Sequence, residues 1–437
     1  MPFCHSDRPA ARRFVQAFAL FLQRRPLKQG ASRATLGLDM LAAFLIAFLA
    51  VADAVPATSP AVTWTSPATG ATLTGRLRLP KPSTRPLPTV VYLCNLSVPR
   101  LGQDTDEAIT ADLVKSGHLV LVLDYARHPK ALSPDLSADL LKIRQDIAGK
   151  NRILLADQNV DVNRLFILPE GFTLKRDVEF YRDGGRVLAM DIMYPSRPKR
   201  PVPLLMEITC DNANRMGSFS LLYCHDTLLE GGLVAGFAGA MIDHPVAPPY
   251  RGIDSMPDDL HKLKAAVRTL RAMGKELGLS GDIAAMGFSR GSGMAAMLAA
   301  TGHRPDLEGD GPHQGISSRV QAAVVHGGRF DYLNLRADDP MRARFEKAWG
   351  PLAENRDSWA RQGVMHYLGP DAAPMFLNTS DAESAEFRDG LAHLAARLKE
   401  LQVQHVYRQD ADGRGHRVST DTGTLAEMYG FLRRHLR

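Results

Sequence analysis

Ala284-Ala285-Met286-Gly287-Phe288-Ser289-Arg290-Gly291-Ser292-Gly293-Met294 leads from a short apolar run through Gly-x-Ser-x-Gly into the small-residue stretch Met294-Ala295-Ala296-Met297-Leu298-Ala299-Ala300. This order predicts a strand, a sharp turn and a helix, the context in which the pentapeptide forms a nucleophile elbow. Such a turn holds its serine in a strained backbone conformation that lifts the hydroxyl clear of the sheet. Gly287 and Gly291 are required because side chains there would meet the neighbouring strand and helix.

A serine hydroxyl is a weak nucleophile at neutral pH and needs a base that is itself oriented by a third group. With an elbow of this kind the groups follow in the order serine, acid, histidine. His416 lies in Asp412-Gly413-Arg414-Gly415-His416-Arg417-Val418, after the last predicted strand and before the final helix. Loops that follow parallel strands gather at one sheet edge, so His416 is the histidine placed to serve Ser289. The acid comes from Pro374-Met375-Phe376-Leu377-Asn378-Thr379-Ser380-Asp381-Ala382-Glu383 or from the strand before it. Glu383 ranks first, Asp381 second and Asp331 third; each could instead be a helix N-terminal carboxylate.

Charge that develops on a carbonyl oxygen needs two preorganised donors. The backbone N–H of Arg290 is one; the loop after Cys210, with Asn212 as the candidate, supplies the other. The Arg290 guanidinium is expected either to steady an anionic or sugar-acid substrate or to form a salt bridge. Two segments are expected to wall the substrate, although their aromatic and basic side chains would equally suit a packed cap that touches no ligand. One is 244–252, with Tyr250 and Arg251; the other is the insertion Tyr332–Pro370, with Trp349, Trp359, Arg342 and Arg344. The insertion is far longer than an ordinary strand connection.

Around these residues the pattern alternates between strand and helix. Continuous apolar runs at 89–94, 119–123, 164–168, 187–195, 203–210, 233–242, 320–325, 374–377 and 403–407 predict buried strands, and 72–79 predicts an antiparallel one. Helices are predicted over 106–116, 140–147, 221–229, 259–277 and 387–401 and from Thr424 onward. In the helix over 259–277, Leu260, Leu263, Val267, Leu270, Met273 and Leu277 recur at steps of three and four. The fold class is therefore α/β with a mostly parallel sheet covered on both faces.

The first part of the chain reads either as a degenerate repeat of the second or as a chance match of generic α/β spacing. Pro80, Pro86, Pro88 and Cys94 lie over Pro195, Pro201, Pro203 and Cys210 at offsets of 115 to 120, and His128-Pro129 lies over His244-Pro245. Gly171 then falls on Gly291 and Pro169 on Ser289. The first copy has no nucleophile. Three regions follow: a leader over 1–57, a non-catalytic α/β half domain over 58–172, and a catalytic domain over 173–437.

The net charge of +6 belongs mostly to the leader, since residues 1–54 carry seven basic and three acidic side chains. The remaining +2 argues against nucleic acid as a partner. Leu41–Val51 is apolar without interruption, follows arginines, and precedes Ala52-Asp53-Ala54 and Val55-Pro56-Ala57, each similar to a signal cleavage site. The run is short for a membrane span and suits a secretory signal. The expectation is an exported chain with no stable membrane insertion after cleavage. Of the four cysteines, Cys210 and Cys224 are the expected disulfide, with Cys94 left over and buried. No zinc-type Cys/His spacing occurs, and no metal or organic cofactor is expected.

Taken together, the Gly287–Gly291 elbow, the acid loop and His416 resemble the α/β-hydrolase superfamily, and within it the secreted carboxylesterases and acetyl-xylan- or feruloyl-esterase-like members. The resemblance covers 173–437 and implies an α/β-hydrolase fold and a Ser-His-acid esterase acting on small-molecule or glycan esters. Glu383 in place of aspartate, the missing oxyanion glycines and Arg290 depart from the pattern. Two other readings share these residues. One is a prolyl-oligopeptidase-like peptidase, whose β-propeller is not evident here; the other is an inactive hydrolase-like binding scaffold.

Overall fold

In the computed structural model, two β-sheets carry the architecture. It describes residues 61–66, 69–95, 106–125, 139, 142–143, 146–147, 158–208, 236–246, 253–419 and 421–436. The apolar leader, the helix over 221–229, half of the helix over 140–147, Asn212, Tyr250, Arg251 and the Cys210–Cys224 pair lie outside the described residues. The chain divides into the units Met1–Thr58 and Ser59–Arg437, and all of the described residues belong to the second.

The smaller sheet contains β1 (Ala61–Thr65), β2 (Thr72–Arg78), β3 (Leu87–Cys94), β4 (Leu119–Asp124) and β5 (Val160–Pro169) in the order β1-β2-β4-β3-β5. The larger contains β6 (Phe172–Asp183), β7 (Arg186–Pro195), β8 (Val202–Ile208), β9 (Ala238–Ile242), β10 (Leu279–Phe288), β11 (Ala322–His326), β12 (Met375–Ser380) and β13 (His405–Asp410). Its order is β6-β7-β9-β8-β10-β11-β12-β13. The pairs β6–β7 and β7–β9 are antiparallel and the other five are parallel.

The smaller sheet therefore repeats the first five strands of the larger one, order and direction alike. Strand register refines the sequence overlay. Pro169 pairs with Leu93 as Gly287 pairs with Ile208, so Glu170 and Gly171 stand where Phe288 and Ser289 do. Pro169 itself lies over Gly287 rather than over the serine. Neither Glu170 nor Gly171 carries a hydroxyl.

Side-chain alternation divides the large sheet between two cores. Leu204, Met206, Ile283, Ala285, Ala323, Val325, Met375 and Leu377 enter one, and Leu205, Ala284, Met286, Ala322, Val324 and Phe376 the other. This is the period of two expected of a sheet buried on both faces. After α1 (Asp106–Lys115), which lies between β3 and β4, the helices α2 (Asp258–Ala272), α4 (Arg290–Thr301) and α7 (Ala385–Glu400) close the first core. The second is closed by α8 (Thr422–His435) together with residues of the smaller sheet, including Val90, Leu121 and Phe166. On β6, Arg176 lies 4.6 Å over the Phe166 ring and donates from Nη1 to His118 Nε2 at 2.9 Å, joining the two sheets.

Two local differences from the sequence reading have physical causes. The helix expected over 259–277 ends at Ala272; a short α3 (Gly274–Leu277) follows and stops at Gly278, which is left-handed with φ 67°. A Cβ at Gly278 would also lie 2.5 Å from Pro198 Cγ. Cys94 is half-buried rather than buried; burial first, then the neighbouring carboxylates, pushes its thiol up to about 11. A thiol held protonated in this way is a weak nucleophile.

Candidate active site

β10 ends at Phe288, and Ser289 follows with φ 54° and ψ −118°, the backbone of neither a strand nor a helix. At this conformation a non-glycine residue is strained, so neighbours must hold it. The Ser289 N–H donates to the His326 carbonyl at 3.0 Å, and Ser292 Oγ is 2.5 Å from the Ser289 carbonyl and 2.7 Å from that of Gly327. A Cβ on Gly287 would lie 2.1 Å from the Gly291 carbonyl oxygen, so the first glycine of the motif is a packing requirement. Arg290 opens α4, and the ladder of a helix supplies no acceptor for first-turn N–H groups.

His416 and Glu383 meet at the same end of the sheet. His416 Nδ1 and Glu383 Oε2 are 2.7 Å apart, and the Ser384 N–H donates to Glu383 Oε1 at 2.8 Å. The glutamate side chain is 3% exposed and the histidine 35%. Burial alone would raise the Glu383 carboxyl, but the hydrogen bond and charge of His416 and the Ser384 N–H hold it below the ordinary carboxylate range. Phe288 and Phe387 lie against the imidazole, each with its ring centroid 4.5 Å away. Gly327, with φ 53°, makes room: a Cβ there would come within 3.0 Å of Glu383 Oε2 and 3.5 Å of His416. A Cβ on the next residue, Gly328, would lie 2.9 Å from the Ser289 carbonyl. One glycine pair thus separates the elbow from the histidine and its carboxylate.

The other two acids have different roles. Asp381 accepts the Gly413 N–H at 2.9 Å, which with the Ser380 hydroxyl at 3.2 Å holds its carboxyl below the usual range, and so laces its loop to the histidine loop. Asp331 accepts from the N–H groups of Leu333 and Asn334 and from Asn334 Nδ2, closing its own turn. Glu383, the first-ranked acid, is the one that reaches His416.

A cavity of about 230 Å³ opens beside Ser289, with Asp254, Arg290, Met294, Tyr332, Arg344 and Phe345 among its lining. The insertion after Asp331 lines it in part, through Tyr332, Arg344 of α5 (Arg342–Trp349), Gln362 of α6 (Arg356–Gln362) and Val364. Trp349 and Trp359 do not line it, so they are not the substrate-wall residues of the first reading and belong to the packed-cap one. Trp359 is fully buried and donates Nε1–H to the Gly350 carbonyl at 2.9 Å. Trp349 stacks on Phe345 at 4.8 Å and meets Trp359 edge-on at 5.2 Å. Large aromatic surfaces in a long insertion bury one another first, because that insertion needs a core of its own. Arg290, the other open question, salt-bridges Asp254 at 2.8 Å within the cavity wall. Burial raises the Asp254 carboxyl and Arg290 draws it down.

Sequence reasoning missed the two phenylalanines against His416, the Gly327-Gly328 pair and Asp254. Phe288 and the glycines were in view beside the motif and at the end of β11; Phe387 and Asp254 carry no local signal. Among the described residues no cluster of three or more His, Cys, Asp or Glu is placed to hold a metal, and no helix is long and apolar enough to cross a membrane.

Comparison with known proteins bears on the fold. The BD-FAE family model matches residues 190–385. A truncated carbohydrate esterase from gut microbiota aligns with a TM-score of 0.51 at 20% identity, covering 60% of this chain and 96% of its own. A bifunctional GH43-CE protein from Bacteroides eggerthii aligns with a TM-score of 0.51 at 21% identity, covering 60% of this chain and 35% of its own. No curated protein matches. The fold is that of the α/β-hydrolases, as the elbow, acid loop and His416 implied, with a smaller sheet added before it.

Proposed function

We propose that this chain is a serine esterase that cleaves carboxylic esters, sugar-linked esters among them, through Ser289, His416 and Glu383. The observation that carries the reading is the 2.7 Å contact between His416 and a buried Glu383, one glycine pair away from a strained Ser289. The match to BD-FAE and the likeness to carbohydrate esterases support ester chemistry and motivate the sugar-linked class.

In the proposed cycle Ser289 Oγ attacks the acyl carbon while His416 Nε2 takes the hydroxyl proton. Glu383 keeps the other imidazole proton on Nδ1 and stabilises the imidazolium. The oxyanion accepts a hydrogen bond from the Arg290 N–H, with the loop after β8 as the source of a second donor. The C–O bond to the alcohol breaks as His416 returns its proton to the leaving oxygen. Water then attacks the acyl-enzyme by the same route, releasing the acid and restoring the Ser289 hydroxyl.

The apolar segment Leu41–Val51 with its flanking residues supports export of the mature chain. The test of function is a panel of acetylated and feruloylated sugars beside chromogenic alkyl esters and a proline-blocked peptide amide, with Ser289→Ala as control. Ester turnover that vanishes in the variant supports the proposal; turnover of the amide alone, or none of any substrate, rejects it.

A further inference from the structure

The histidine loop contains two hinges. Gly413 and Gly415 both sit in the left-handed region, with φ 64° and 66°, on either side of Arg414 and directly before His416. Left to themselves, two such glycines would let His416 wander, because glycine crosses between backbone basins at little cost. Arg414 opposes this. Its side chain is 11% exposed, and its guanidinium reaches four acceptors on four separate pieces of backbone. Nη2 donates to Asn378 Oδ1 at 2.8 Å, Nη1 to Asp410 Oδ2 at 2.7 Å and also to Asp412, and Nε to the Arg417 carbonyl at 2.9 Å.

These acceptors lie at the end of β12, at the end of β13, inside the loop and just past the histidine. The network runs on to the elbow. Asn378 pairs with His326 across β11–β12, and the His326 carbonyl accepts the Ser289 N–H. Ser380 Oγ donates to Asp412 at 2.9 Å and so fastens the loop to the segment bearing Glu383. Only a planar fork with five N–H donors can serve acceptors arranged in this way; an ammonium is a point donor.

We propose that Arg414 is a positioning residue, which clamps the Gly413–Gly415 hinge so that His416 stays aligned between Glu383 and Ser289. The proposal rests on the triad reading. Removing the guanidinium takes away the cation that Asp410 and Asp412 share, which unfastens the loop from β13.

The test compares Arg414→Ala and Arg414→Lys with Arg408→Ala in the full-length protein. Arg408 binds Asp410 from the other side, 2.5 Å from Oδ1, and has no bond to the 412–417 loop. For Arg414→Ala we expect kcat to fall at least tenfold with KM within twofold, and partial recovery with millimolar guanidinium ion. Arg414→Lys should fall between, and Arg408→Ala should keep kcat within twofold. If Arg414→Ala keeps kcat within twofold, or if its loss is matched by Arg408→Ala, the clamp is overturned. Amide hydrogen exchange over 411–419 provides a readout independent of turnover. The Arg414→Ala variant should exchange at least tenfold faster there, and unchanged protection refutes the clamp even if the wild-type chain proves to have no esterase activity.

Discussion

Replacing Glu383 by glutamine changes one oxygen for an NH₂ group in a site that distinguishes them. Ser384 N–H is a fixed donor to one side of the carboxylate, so the glutamine oxygen must face it. The NH₂ then faces His416 Nδ1, which has to become an acceptor. The imidazole proton moves to Nε2, and the base can no longer take a proton from Ser289. The charge is lost as well. A carboxylate about 4 Å from an imidazolium at an effective dielectric of about 20 contributes roughly 4 kcal/mol. Because His416 is 35% exposed, solvent reduces this to about 3 kcal/mol. At about 1.4 kcal/mol per tenfold, kcat should fall by roughly 10² to 10³ with KM little changed. Steady-state hydrolysis of a p-nitrophenyl ester measures it, with Asp381→Asn and Asp331→Asn alongside, each expected within about threefold of wild type. A Glu383→Gln enzyme within a few-fold of wild type, or collapse in Asp381→Asn instead, would refute the reasoning.

Three further outcomes follow from the packing and the buried charges. Gly287→Ala places a Cβ where the Gly291 carbonyl passes, 2.1 Å away, so the elbow must shift; activity should fall at least about a hundredfold, and a wild-type rate would contradict the tight turn. Trp359→Ala should lower stability by about 3 to 5 kcal/mol in denaturant melts, while KM for a small ester moves little in the folded enzyme. A large KM change without destabilisation would return Trp359 to the substrate wall. His118 and His326 are held at about 4 against 6.5, first by burial and then by Arg176 and Arg414 respectively. The unfolded chain therefore binds protons that the folded one refuses. Stability is full above pH 6.5 and falls as pH drops toward 4, by about 3 kcal/mol per histidine. Melts of His326→Gln should show a shallower acid slope than wild type; an unchanged slope would contradict this.

What the chain displays openly is whatever is set by local pattern and chain order. Gly287–Gly291, the apolar strands of the large sheet and His416 in its glycine loop belong here, and Glu383 was placed by counting from β12. β6 was not visible, because its twelve residues bury irregularly and Asp177 within it has φ 53°, which interrupts the alternation. The tryptophans of the insertion stayed ambiguous because a side chain that can bind a ligand can also make a core, and only packing separates the two. The Arg414 clamp was out of reach for another reason: one of its four partners, Asn378, is 36 residues away. Topology, rather than composition, brings it within hydrogen-bonding distance. The repeated half was legible in its prolines, but only strand pairing showed that Glu170 and Gly171 stand at the elbow's place.

The most direct measurement of the proposed chemistry is covalent labelling by a fluorophosphonate, read by peptide mass spectrometry. The account predicts one adduct per chain, on the peptide containing Ser289, and none in Ser289→Ala. A wild-type chain that takes no label, or a Ser289→Ala chain that labels equally, would contradict it.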